Sequence, residues 1–141
     1  MKGVIFMITK SPSGALSPYY YKGGYFHGVH YGSYFDNTEA FLAMMEKEEA
    51  FILASSEKRR ILMDFYETKL TKPVLEKVIQ HIQRLSPKII KLAIASDWIS
   101  LWHIKRAMKK AKVLQPGCYY LSTDMEEGKT WLVSDRYYGK K

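Results

Sequence analysis

The residues with chemistry in them are few and scattered. His27 and His30 fall in the tyrosine- and glycine-rich stretch 19–35, which reads YYYKGGYFHGVHYGSYF. On a strand, side chains alternate between faces, so His27 and His30 point to opposite sides and do not form a metal pair. Cys118 is the only cysteine and has no local histidine to activate it. Hydroxyls occur at Thr68, Thr71 and Ser96, each beside an apolar run. Lys105, Arg106, Lys109, Lys110 and Lys112 follow in close order and make the densest basic patch, a candidate surface for phosphates or other anions. The chain has no Gly-x-Ser-x-Gly, no phosphate-binding Gly-x-x-x-x-Gly-Lys and no His-Glu-x-x-His. The expectation is a protein that is not an enzyme and carries no cofactor and no metal.

Residues 60–96 must position whatever site exists. Ile61, Leu62, Met63 and Phe65 form a short apolar run that suits a strand buried on both faces. Thr71 is placed to cap a helix, and Pro73 is tolerated in the first turn. Leu75, Val78, Ile79, Ile82 and Leu85 then recur at helical spacing, with Lys77, Gln80, Gln83 and Arg84 on the other side. Ser86-Pro87 ends the helix, and residues 89–95 read as a second buried strand. A helix between two such strands favours a right-handed crossover and parallel pairing. In that arrangement ligands meet the C-terminal edge of the strands. The candidate ligand or partner residues there are Phe65, Tyr66, Thr68, Thr71, Ser96 and Trp98: donors, helix starts and aromatic walls.

Around this unit the reading is as follows. Residues 3–9 form a strand that hairpins with roughly 21–34. Asp36 caps a helix over 37–54, with Glu39 completing a capping box and Phe41, Met44 and Met45 as its apolar face. Asp97 caps a helix over 98–112 with a stripe of Leu101, Ile104, Met108 and Ala111. Residues 118–121 form a last strand, and a short helix follows, weakened by Gly128. The fold class is α/β: a mixed sheet of about five strands, an N-terminal hairpin plus parallel strands, with about four helices. It occupies one domain, 1–135, followed by a basic tail, 136–141, expected to fray.

The chain has 141 residues and a formal net charge of +8. A positive balance favours anionic partners. One cysteine excludes an internal disulfide and suits a reducing cytoplasm, and no apolar run approaches a membrane span. Exposed tyrosines in 19–35 beside basic residues could stack nucleic-acid bases or form a homodimer surface.

The order of elements, with ILMDF at 61–65, the helix at 72–85, KLAIAS at 91–96 and TDMEEGKTWL at 123–132, resembles the STAS domain (sulfate transporter and anti-sigma factor antagonist), in particular its divergent anti-anti-sigma-like bacterial relatives. It is also similar in outline to the lipid-binding CRAL-TRIO fold. The resemblance implies a regulatory or protein-interaction module. Phosphorylatable STAS proteins carry an Asp-Ser-Ser-Gly-type motif after the strand that matches 61–65. Residues 67–71 here read ETKLT, without the serine or the glycine, so no phosphosite carries over. The expected function is a non-enzymatic STAS-like module with an unidentified protein partner, with or without a small anionic ligand at the strand edge. The alternative is nucleic-acid or anionic-surface binding through 98–112 and the tyrosine-rich strand.

Overall fold

The computed structural model describes residues 9–137, with side-chain surroundings through Asp135. In chain order the elements are β1 (Thr9–Lys10), β2 (Leu16–Ser17), β3 (Tyr19–Tyr21), β4 (Gly24–His30), α1 (Thr38–Leu53), β5 (Arg59–Asp64), α2 (Lys72–Leu85), β6 (Ile89–Ala95), α3 (Trp98–Ala111), β7 (Tyr119–Ser122) and α4 (Met125–Tyr137). The fold is α/β, with a five-stranded sheet ordered β3-β4-β5-β6-β7 beside a two-stranded β1-β2 hairpin. β3 pairs antiparallel with β4, and β4, β5, β6 and β7 run parallel.

The crossover unit forms as its sequence dictates. Thr71 caps α2 by accepting from the Val74 N–H, with Pro73 in the first turn. Successive parallel strands are neighbours in chain order, so right-handed connections place α1, α2 and α3 on one face. There Ile61, Met63 and Phe65 of β5 and its loop, and Leu92 and Ile94 of β6, pack with Phe41, Val78, Ile82, Ile104 and Met108. The other face is covered by α4, whose Leu132 and Val133 meet Phe26, Leu62 and Ala93. Gly128 faces Ala93 and Leu62, where an added Cβ would stand at 3.5 and 3.6 Å, ordinary contact distance, so the close seat of α4 on the sheet does not require the glycine.

Some expectations need correction. The stretch 21–34 is not one strand: the chain turns at Lys22-Gly23, where both residues have positive φ, and Tyr19–Tyr21 folds back on Gly24–His30. Thr9–Lys10 pairs with Leu16–Ser17 rather than with that stretch. The rest of the strand expected over 3–9 lies outside the described residues. The cap of α1 is Asn37, whose side chain accepts from the Ala40 N–H, and not Asp36. α4 continues to Tyr137, past the point where a tail was expected, and residues 138–141 lie outside the described residues.

Candidate functional site

The C-terminal ends of the parallel strands are His30, Asp64, Ala95 and Ser122. In open α/β sheets the ligand crevice forms where neighbouring connections go to opposite faces. Here β4-β5-β6-β7 follow the chain without reversal, and their helices share a face, so no such crevice opens. The side chains chosen there are taken up by the fold. Phe65 is buried in the core. The Tyr66 hydroxyl donates to the Thr123 carbonyl at 2.7 Å. Thr68 is buried, donates to the Tyr31 carbonyl and accepts from the Tyr34 N–H. Thr71 caps α2. Ser96 is buried against the Asp97 carboxylate. Only Trp98 stands clear, 70% exposed.

What does gather at this edge is carboxylate. His30 Nδ1 sits 2.9 Å from Asp64 Oδ2 and 3.0 Å from Oδ1. Burial pushes the Asp64 carboxyl above its ordinary value, and His30 opposes that. Gly32 lets the chain cross this pair, since a Cβ there would stand 2.7 Å from Asp64 Oδ2 and 2.8 Å from the Tyr66 carbonyl. A separate open depression at this edge is lined by Phe35, Asp36, Glu67, Thr68, Lys69 and Asp97. These acids make the edge a poor receptor for a small anion.

Phe35 is the one apolar residue lining this depression, and α3, which begins just after Asp97, carries further exposed apolar side chains. Phe35 is 61% exposed, and Trp98, Ile99 and Trp102 are 70%, 53% and 52% exposed. α3 starts here because Asp97 accepts from the Ser100 N–H and hydroxyl, and this backbone bond first of all holds the Asp97 carboxyl below its usual range. Trp98, Trp102 and Arg106 then recur at i, i+4 and i+8, one row of a helix surface. The Arg106 guanidinium stacks 4.8 Å from the Trp102 ring centroid. Lys105, Arg106, Lys109, Lys110 and Lys112 are all exposed. The strand-edge and basic-patch predictions therefore meet on one helix, joined by Trp98. The tyrosine-rich β3 is at the far end of the strand order from β7, which α3 packs against.

Sequence reasoning missed the buried polar pairs. Glu48, which interrupts the apolar stripe of α1, is fully buried; it accepts from the Ser13 N–H at 2.9 Å and lies 3.2 Å from His27 Nε2. Burial would raise its pKa, but these hydrogen bonds outweigh burial and hold it low. On α2, His81 Nε2 accepts from the buried Tyr31 hydroxyl at 2.8 Å, and Nδ1 donates to Glu49 at 2.8 Å. Burial keeps His81 below its ordinary value despite Glu49. The only available signal was a polar residue at a helix position where the apolar stripe runs. Among the described residues no cluster of His, Cys, Asp and Glu could hold a metal ion, and no helix is long and apolar enough to cross a membrane. Comparison with family models, curated proteins and solved structures found no match to this chain.

Proposed function

We propose that this chain is a non-enzymatic, STAS-like regulatory module that docks an acidic protein segment on the surface formed by Phe35, Trp98, Ile99 and Trp102 and by the cations that follow on α3. The observation that carries the reading is the exposure of Trp98, Ile99 and Trp102 on a helix whose opposite side is already fully packed through Leu101, Ile104 and Met108. Tryptophan and arginine dominate the energetics of protein interfaces, and Arg106 over Trp102 supplies both at one spot. The cations toward the C-terminal end of α3 set the charge of the partner, which needs apolar residues for one half of the helix and carboxylates for the other. The STAS-like part of the reading is supported by the order of strands and helices.

A nucleic-acid partner is the second reading, favoured by the same cations. The separation of the tyrosine-rich strand from α3 weighs against it, because a single strand would have to cross the whole sheet to use both. The test is a photo-reactive phenylalanine analogue in place of Ile99, irradiated in cells that express the full chain. The expected product is one discrete protein adduct whose attached peptide is acidic, lost when Lys109 and Lys110 are both changed to Glu in a chain that remains folded. Adducts to nucleic acid alone, or adducts indifferent to that change, would overturn the proposal.

A further inference from the structure

A separate cavity lies at the opposite end of the sheet, where β5 begins. Its volume is about 260 Å³, and its lining includes Ser17, Tyr25, His27, Phe51, Lys58 and Arg59. The polar groups at its floor form a directed chain. Arg59 Nη1 donates to Ser17 Oγ at 2.9 Å and lies 3.3 Å from His27 Nδ1. A guanidinium has no acceptor, so Nδ1 is the acceptor nitrogen and Nε2 carries the proton. The Ser17 hydroxyl, 2.6 Å from Nδ1, then donates to it, and Nε2 donates to Glu48. Glu48 accepts three hydrogen bonds, from His27 and from the Ser13 N–H and hydroxyl. The buried carboxylate thus fixes His27, His27 fixes Ser17, and Ser17 fixes Arg59.

The guanidinium is where this chain ends with capacity to spare. It has five N–H donors, and its hydrogen bonds among the described residues all come from Nη1. Its Cζ lies 5.7 Å from the centroid of the Phe51 ring, which also stacks on His27 at 5.4 Å. It is partly desolvated, since burial lowers its pKa against the opposing pull of Glu57 and Glu48. Lys58 and Arg60 also line the cavity, Arg60 already paired with Asp135, and the exposed Glu57 stands beside Lys58. A preorganised, half-buried fork beside an aromatic wall matches a planar or tetrahedral oxyanion. The volume falls below that of drug-sized sites, which limits the rest of the ligand to a compact body.

We infer that this cavity binds a small organic anion, a carboxylate or phosphate monoester on a compact planar body, with Arg59 holding the anionic group and Phe51 the ring. The site shares no residue with the α3 docking surface. Amide spectra of the full chain, titrated with benzoate, phenyl phosphate and benzamidine, test it, because benzamidine keeps the shape and inverts the charge. The expected result is saturable shifts at Ser17, Tyr25, His27 and residues 55–60 with at least one of the two anions and none with benzamidine. Arg59→Lys keeps the charge without the fork and weakens binding several-fold; Arg59→Gln weakens it by about tenfold or more. Where R59Q does not fold, R59K decides. Trp102→Ser leaves the titration unchanged. No saturable shift with either anion, shifts confined to 105–112, equal response to benzamidine, or binding indifferent to both Arg59 variants would overturn the inference.

Discussion

Helices α2 and α3 are each 14 residues long, lie in one layer and pack on the same face of the sheet. α2 sits between α1 and α3 and exposes no large apolar side chain; α3 exposes Trp98, Ile99 and Trp102. Position at the flank of the layer does not account for this. α1 flanks α2 on the other side, and its one large exposed apolar residue is Leu53. Covering an exposed tryptophan is worth on the order of 3 kcal/mol, an interaction this fold leaves unmade along half a helix. Folding and solubility alone would favour polar residues there, as on the outer side of α2. The contrast separates a helix whose every apolar group serves the core from one with a second apolar face available to something else.

Matched truncations in the two helices sharpen that contrast most. Ile82→Ala on α2 removes a fully buried side chain and should cost about 3–4 kcal/mol in urea unfolding. Trp102→Ser, a larger truncation, should stay within about 0.5 kcal/mol. A large loss from W102S would make Trp102 a core residue and break the comparison. The histidines come next. His81→Phe leaves the buried Tyr31 hydroxyl without its partner and Glu49 with Arg84 alone, and should cost about 2 kcal/mol, while His103→Phe on the exposed side of α3 should change little. Because burial lowers the native pKa of His81, its contribution is fully present above the unfolded value of about 6.5 and is lost as pH falls through the native value. Unfolding series across that range should show this slope in wild type and not in H81F.

The caps give a smaller, pH-resolved difference. Thr71→Ala and Asp97→Ala should each cost about 1 kcal/mol. Asp97 has a depressed pKa, so its share is present above the ordinary carboxylate range and lost as pH falls through the native value. The Thr71 cap has no such dependence. Equal pH profiles for T71A and D97A, each relative to wild type, would contradict the carboxylate cap of α3.

The sequence made α2 legible to the residue, because Thr71, Pro73 and an unbroken apolar period all specify the same helix. The strands read at 61–66 and 89–95 were legible for a similar reason, since a strand buried on both faces shows as an apolar run, although the first begins two residues earlier, at Arg59-Arg60, and ends at Asp64. Legibility ended where meaning depended on a distant neighbour. Trp98 and Trp102 border the apolar stripe of α3, and whether a border residue is covered depends on what packs beside it, which the helix itself does not encode. Glu48 looks like a break in a stripe until His27 and Ser13, from elsewhere in the chain, are placed against it. The edge residues Tyr66, Thr68 and Ser96 had the right chemistry for binding, but their hydrogen bonds go to loops and caps that local pattern does not reveal.

The most direct test of the docking claim uses the partner segment recovered by cross-linking at position 99. Its affinity would be measured by tryptophan emission and calorimetry for wild type, for Trp98→Ser/Trp102→Ser, and for Lys77→Glu on the exposed side of α2 as the matched control. The account predicts a loss of about 100-fold or more for the double tryptophan variant, as for two interface anchors, and no more than a small change for K77E. Equal affinity of wild type and the double tryptophan variant would contradict it.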